Sequence, residues 1–172
     1  VLSLVLGRLP ATLELSLLAL LIACILGGTS SLLGTRLRET RIEGIIDGIN
    51  GIAMSIPDFL WGLIFILLFG VMWPIFHISG RISPFLDIDY STQFYLMESI
   101  LRFDLKVFTD LLAHMLMPAV ALSIPLAAII SQLLKQSLKE TMHLDYVTLS
   151  RTKGYSENHV ILREALPNAV LP

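Results

Sequence analysis

The stretch DYVTLSRTKGYSENHVILREALPNAVLP, residues 145–172, decides how the rest of this apolar chain is organised. Leading into it, apolar residues recur at spacings of four, four and three, which predicts one helix face formed by Leu138, Met142, Tyr146 and Leu149. Gly154 is expected to end this helix, because glycine commonly supplies the left-handed residue at a helix end. Ser156 can cap a second helix, whose apolar stripe consists of Val160, Ile161 and Ala165. The stretch therefore predicts two short amphipathic helices joined at a glycine, a shape that another protein can bind.

The composition indicates a membrane protein. Of the 172 residues, 55% are hydrophobic and only 15% are charged, and the mean hydropathy is +0.77. A soluble domain carries roughly a quarter charged residues. The net charge of −2 gives no reason to expect a nucleic-acid partner. Cys24 is the only cysteine, so the chain has neither a disulfide framework nor a cysteine pair that could bind a metal.

Apolar runs predict an all-α, polytopic transmembrane bundle. Three runs are long enough to cross a bilayer, at about residues 13–33, 45–71 and 111–134, and a further span should begin near residue 167. The intervening regions are an outer segment at about residues 72–110 and a polar loop at about residues 135–166. The first residue is Val1 and the last is Pro172, where a new apolar segment should begin, so we expect a partial transmembrane domain, truncated at both ends.

Charge predicts the orientation of these spans. The short loop at residues 34–41 holds three arginines and one acid, and the 135–163 region holds five lysines and arginines. The segment at residues 72–110 has three basic residues and five acids. Because basic residues concentrate in cytoplasmic loops, the first two regions should be cytoplasmic and the third external. Alternation of three spans places the regions in the same way.

The residues of the 145–172 stretch resemble the "EAA" loop of permease subunits from binding-protein-dependent ABC importers. The likeness is closest to the dipeptide, oligopeptide and nickel subfamily, and it rests on Asp145, Tyr146, Val147, Arg151, Lys153, Gly154, Asn168, Ala169 and Pro172. The EAA triplet itself reads Thr148, Leu149 and Ser150, and Glu164 replaces the isoleucine of the I-x-L-P sequence. Further landmarks follow in the order of that subfamily: LPATLEL at 9–15, SIPDF at 55–59, ISGR at 78–81 and AHMLMPA at 113–119.

The resemblance implies a transport subunit in a bacterial or archaeal cytoplasmic (inner) membrane, crossing the bilayer several times. Its expected partners are a second permease subunit, two ATP-binding subunits and an extracytoplasmic substrate-binding protein, and its cargo would be small peptides or a related solute such as nickel. The 145–166 loop would couple the chain to the ATPases, with Gly154 as a pivot. The expected coupling residues are Tyr146, Leu149, Ser150, Lys153, Gly154, Val160, Leu166 and Pro167. The alternative is that the apolar members of this set pack against their own membrane domain.

Small residues in the second apolar run predict close helix packing. Gly44, Gly48, Gly51 and Ser55 are spaced by four, three and four, so they form one stripe that allows two transmembrane backbones to approach.

Glu14 is expected to begin the first membrane helix, where a carboxylate complements the positive helix N-terminus.

A carboxylate in the middle of an apolar run suggests a functional position. Asp58 is costly there, at roughly 2.5–3.5 kcal/mol at a helix centre, so we expect it to line a translocation path beside the break that Pro57 permits. Pro125 is a second candidate on that path, because a proline in a membrane helix removes a backbone hydrogen bond.

No enzyme signature occurs in the sequence. It contains no G-x-x-x-x-G-K-[ST] phosphate loop, so ATP hydrolysis is expected in partner subunits, and no cofactor is expected. The four histidines lack helical metal-ligand spacing, so no metal site is expected. Two rival functions stay open: a secondary transporter driven by an ion gradient through Asp58, and a membrane scaffold without transport.

Overall fold

The computed structural model describes residues 2–86 and 88–170, and the side chains of Ser3 and Leu4 are outside this description. The described residues form helices and irregular segments without strands. The helices are α1 (Leu2–Arg36), α2 (Arg41–Ser55), α3 (Asp58–Phe65), α4 (Tyr95–Leu101), α5 (Leu105–Thr141), α6 (Asp145–Thr152), α7 (Glu157–His159) and α8 (Leu166–Ala169). Two π-helical segments, π1 (Ile66–Met72) and π2 (Val160–Ala165), continue α3 and α7. The all-α class expected from the sequence is confirmed.

Two helices are long and apolar enough to cross a membrane, within α1 at Val5–Arg36 and along α5 at Leu105–Thr141. The run predicted as the second span is divided, because α2 ends at Ser55 and α3 begins at Asp58. A third span results if the two helices on either side of this break are counted together. The start of a further span near residue 167 corresponds only to α8, and residues 171 and 172 lie outside the described part of the chain.

The chain folds as two compact units. One unit contains residues 1–22 and 57–123, and the other contains residues 23–56 and 124–172. The long helices α1 and α5 each contribute to both. The first unit is the outer-segment unit and the second is the loop unit, each named after the segment that it contains.

Both π-helical segments precede a proline. Pro74 follows π1, and Pro167 is in the first turn of α8, directly after π2. A proline lacks a backbone N–H and its ring collides with the carbonyl four residues earlier. A wider π turn changes the hydrogen-bond register before the proline is reached, as shown by the bond from the Trp73 N–H to the Leu68 carbonyl at 2.8 Å.

Close helix packing in the loop unit occurs through α1 and α5 rather than through the predicted glycine stripe. A Cβ atom built on Gly27 would lie 2.6 Å from the Ala127 carbonyl oxygen and 2.9 Å from Ile130. Small buried residues continue this face of α1 at four-residue intervals: Ala23, Gly27, Ser31 and Thr35. Such small residues let membrane helices approach closely.

The predicted stripe on α2 has no comparable contact in the described residues. No atom lies within 4 Å of a Cβ built on Gly44, Gly48 or Gly51. Instead, α2 is joined to α5 and α1 by Asn50, whose buried Nδ2 donates to Ser131 Oγ at 3.0 Å and to Ser30 Oγ at 3.4 Å. Close packing by the α2 stripe stays a prediction about a partner beyond the described residues.

Gly27→Ala is expected to lower the free energy of unfolding by about 1–3 kcal/mol, because the new methyl group collides with a backbone oxygen that cannot move by rotamer change. Thermal unfolding of the full-length protein in detergent measures the effect. Gly28→Ala is the matched control, since a Cβ there meets no atom within 4 Å. Equal melting temperatures for the two variants would contradict the assigned contact.

Candidate functional site

The turn between α6 and α7 has the geometry of a Schellman motif. Gly154 has a φ of +84°, which is the left-handed region predicted for it. The Gly154 N–H donates to the Arg151 carbonyl at 3.0 Å, and the Tyr155 N–H donates to the Ser150 carbonyl at 3.4 Å. These two bonds satisfy carbonyls at the end of α6 that have no helical partner. The predicted cap of the second helix is also confirmed, because Ser156 Oγ accepts a bond from the His159 N–H at 3.4 Å.

A hydrophobic core lies beneath this turn. It is formed by Leu138, Met142, Val147, Val160, Ile161, Ala165 and Ala169, with partly buried Leu32, Leu134 and Leu166 against it. The predicted stripe on the second helix is therefore confirmed. The predicted single face from Leu138 to Leu149 is wrong, because α5 ends at Thr141 and α6 begins at Asp145. Residues 142–144 separate the two helices, and Val147 rather than Tyr146 or Leu149 faces the core.

The predicted coupling residues consequently divide into an exposed group and a buried group. Exposed members are Tyr146 (38% exposed), Leu149 (54%), Lys153, Gly154 and Pro167. Ser150 and Val160 are buried, and Leu166 packs against the core. Val160 is 0% exposed, so its side chain packs within its own domain, as the alternative prediction states. Tyr155 was not singled out from the sequence, yet it is 49% exposed and stacks on the His159 ring at 4.5 Å.

Ion pairs connect the two helices across the glycine turn. Glu157 accepts from Arg151 at two atoms, with Nε at 3.2 Å and Nη2 at 3.0 Å. Glu157 also pairs with Arg38 Nη2 at 3.4 Å, and Arg38 belongs to the connection between α1 and α2. A two-point arginine–carboxylate contact fixes orientation as well as distance. The sequence spacing of six between Arg151 and Glu157 is not a helical spacing, so periodicity could not reveal this contact.

A second ion cluster lies where α2 faces α5. Lys135 Nζ is 2.7 Å from Glu43 Oε1 and 2.7–2.8 Å from both carboxylate oxygens of Asp47. Glu43 and Asp47 are four residues apart, so they lie on the same side of α2. Their common partner holds the first two turns of α2 against the last turns of α5.

The candidate path residues differ in solvent exposure. Asp58 is exposed in the first turn of α3, directly after the Pro57 cap. A carboxylate in that position complements the positive end of the helix. Pro125 is buried within α5, which continues as a helix on both sides of it. Asp58 and Pro57 belong to the outer-segment unit and Pro125 to the loop unit.

Glu14 does not begin a helix, and that prediction is wrong. Glu14 lies in the interior of α1 and is buried. Its Oε1 caps a different helix, because it accepts hydrogen bonds from the Leu96 N–H at 2.9 Å and the Met97 N–H at 3.3 Å. These amides belong to the first turn of α4 and have no partner within that helix. Arg81 Nη2 pairs with Glu14 Oε2 at 2.7 Å, and the Arg81 guanidinium lies 4.2 Å over the Tyr95 ring.

A second carboxylate organises the rest of the outer segment. The buried Glu98 side chain accepts backbone and hydroxyl bonds from both Ser91 and Thr92 at 2.7–3.0 Å, and it pairs with Arg102. The Thr92 hydroxyl, together with the Ser91 and Thr92 amides and the Ser91 hydroxyl, lowers the pKa of Glu98 from 4.5 to about 2, against the opposing effect of burial. The ionised form of Glu98 therefore holds this segment in place.

Two histidines of the outer-segment unit stack on each other. His77 and His114 stack at 3.9 Å between ring centroids, and His114 Nδ1 is 2.8 Å from the Asp110 carbonyl oxygen. Over residues 2–86 and 88–170, no group of three or more His, Cys, Asp or Glu side chains is arranged to hold a metal ion.

Comparison with known proteins identifies the relatives of this chain. The model of the family described as "Binding-protein-dependent transport system inner membrane component" matches residues 15–172. The di/tripeptide transport system permease protein DppB of Pseudomonas aeruginosa is 35% identical over 164 residues, covering 95% of this chain and 48% of that protein. The dipeptide transport system permease protein DppB of Escherichia coli K12 is 34% identical over 169 residues, covering 96% of this chain and 50% of that protein. The chain thus spans about half the length of these relatives.

The hydrogen bonds to Glu98 are expected to weaken in acid. The pKa of Glu98 in the folded protein, about 2, lies below the ordinary 4.5. The stabilisation that its carboxylate gives to this segment is therefore complete above about pH 4.5 and is lost as the pH falls toward about 2. Hydrogen-exchange protection of the Ser91 and Thr92 amides, corrected for the intrinsic exchange rate, should fall across this window.

Glu98→Gln should reduce the same protection at neutral pH, since a neutral amide replaces the ionised acceptor. Asp89→Asn is the matched control, because that carboxylate lies in the same segment and is exposed. Unchanged protection of both amides in Glu98→Gln would contradict the assignment.

Proposed function

We propose that this chain, which belongs to the family of binding-protein-dependent transport system inner membrane components, is the permease subunit of an ABC importer that moves small peptides. The observation that carries the proposal is the similarity, over nearly the whole chain, to permeases named for dipeptide and di/tripeptide transport. A related solute such as nickel stays an alternative cargo. The chain itself acts as a transport subunit without enzyme activity.

The proposed setting is a bacterial or archaeal inner membrane that the chain crosses several times. A second permease subunit would complete the pathway through the lipid bilayer, two ATP-binding subunits would lie on the cytoplasmic side, and an extracytoplasmic substrate-binding protein would dock near residues 72–110. The basic residues of the 34–41 and 135–163 regions support the cytoplasmic placement of α6 and α7.

The form of the loop unit supports its role in coupling. A core of seven buried residues makes α6, α7 and π2 a firm body, and the turn at Gly154 presents Tyr146, Leu149 and Lys153 outward. An ATPase that binds this surface better in one nucleotide state than in the other would shift the permease between its inward-open and outward-open forms. Buried Val160 contributes to the firmness of this body rather than to the contact surface.

Leu149→Asp is expected to abolish co-purification of the ATP-binding subunits with the full-length permease, because it places a charge in an apolar contact without disturbing the core. Leu149→Met, which keeps the surface apolar, should retain the subunits. Both variants are compared for membrane insertion and for their elution volume in gel filtration. Capture of equal amounts of ATPase by Leu149→Asp and the parent would contradict the proposed surface.

Asp58, Pro57 and Pro125 are proposed to line the translocation path. Asp58 is the residue that separates this proposal from the rival secondary transporter, in which its carboxylate would couple transport to an ion gradient. Its exposure in the first turn of α3 is compatible with contact to water along a path.

Asp58→Asn is expected to reduce ATP-driven dipeptide uptake by the reconstituted importer about tenfold or less, since the charge influences the path without driving transport. Uptake equal to that of the parent would remove Asp58 from the path. Uptake by the parent that follows an imposed proton or sodium gradient and does not require ATP would favour the secondary transporter.

A further inference from the structure

A continuous series of charged contacts links the loop helices to α2 and α5 within the loop unit. It begins at Glu157, which binds Arg151 across the glycine turn at 3.0 Å and Arg38 of the α1–α2 connection at 3.4 Å. The next residue after Arg38, Glu39, donates its backbone N–H to Glu43 Oε2 at 2.6 Å. Glu43 in turn pairs with Lys135. Side chains and one short stretch of backbone thereby connect the loop helices to the α1–α2 connection, to the first turn of α2 and to α5.

The connection between α1 and α2 is the central part of this series. It contains only residues 37–40, and Glu39 has a φ of +64°, a left-handed conformation that is uncommon for residues other than glycine. The turn is therefore held in a specific shape by the contacts on both sides of it. Arg38 and Glu39 are consecutive residues, so a movement of the Arg38 backbone reaches Glu39, whose N–H is bonded to Glu43 in the first turn of α2.

The contact between Arg38 and Glu157 is too exposed to serve chiefly as a stabiliser. The Arg38 and Glu157 side chains are 49% and 43% exposed, and exposed ion pairs contribute little to folding. The buried core residues already hold α6, α7 and π2 together. What the charged contacts add is a defined position of the 37–40 turn relative to the loop helices.

The two ends of the series differ in strength. Lys135 is held by two carboxylates at 2.7–2.8 Å and is largely shielded, so that end connects α2 and α5 firmly. The Arg38–Glu157 pair is longer and open to solvent, so it can break and form again at small cost. When the Arg38–Glu157 pair is formed, a movement of the loop helices can be transmitted to α2. When the pair is broken, the loop helices and α2 can move independently.

We propose that Arg38 and Glu157 are positioning residues that relay movement of the ATPase-docked loop helices, through Glu39 and Glu43, to α2. Helix α2 ends at Ser55, next to the break at Pro57, so the relay leads to the part of the chain that carries Asp58. Neither Arg38 nor Glu157 touches cargo or nucleotide in this proposal. The inference rests on the proposed function as an ATP-driven permease.

The experiment uses the complete importer in proteoliposomes with a labelled dipeptide, and it measures ATP hydrolysed per dipeptide taken up. Arg38→Ala is expected to keep the ATPases bound and to raise this ratio at least threefold. Arg38→Lys, which preserves the pair with Glu157, should stay within about twofold of the parent. Arg41→Ala is the matched control, because it removes a neighbouring exposed arginine for which no ion pair is found among the described residues.

The double variant tests whether Arg38 and Glu157 act through each other. Arg38→Ala combined with Glu157→Gln should raise the ratio no further than Glu157→Gln alone, since Glu157→Gln already removes the contact with Arg38 as well as that with Arg151. Multiplied effects, an unchanged ratio in Arg38→Ala, or an equal change in Arg41→Ala would each overturn the relay. A parent complex without ATP-dependent uptake would instead refute the proposed function, and the relay with it.

Discussion

The approach of α1 to α5 at Gly27 is the constraint on which the loop unit depends. Lipid gives two apolar helices no hydrophobic reason to associate, so close contact between small residues has to hold them together. Gly27 allows the Ala127 carbonyl to approach a position that any side chain would occupy. Lys135 follows two turns after Ala127, and Arg38 follows the end of α1, so both ion clusters of this unit are positioned by that contact.

The loop helices illustrate how one short segment divides its surface between two tasks. Residues that the chain needs for its own stability, such as Val147 and Val160, point into the core. Residues at the same helices' outer side, such as Tyr146 and Leu149, stay exposed although they are apolar. In the proposed function these exposed side chains contact the ATP-binding subunit, so the same two helices serve stability on one side and coupling on the other.

Local rules predicted the features whose causes lie within a few residues. The left-handed Gly154 and the Ser156 cap follow from glycine's freedom at positive φ and from the hydrogen-bonding reach of serine. The exposure of Tyr146 could not be predicted in this way, because the helix ends before residues 142–144, so the spacing of apolar residues in α5 does not continue into α6. Likewise, spacing revealed a possible glycine stripe on α2 but not which stripe has a partner, since that depends on contacts between α1 and α5.

Glu14 shows the physical limit of such reasoning most clearly. A carboxylate inside an apolar helix needs compensation, and the nearest local rule places it at its own helix start. The structure satisfies the need with the free amides of α4, 82 and 83 residues away, and with Arg81. The need itself could be inferred from the sequence, because burial of an unpaired charge is costly. The partner of Glu14 could not be inferred, because every helix begins with amides that lack a partner. Nothing in the sequence shows which of these amides a given carboxylate binds.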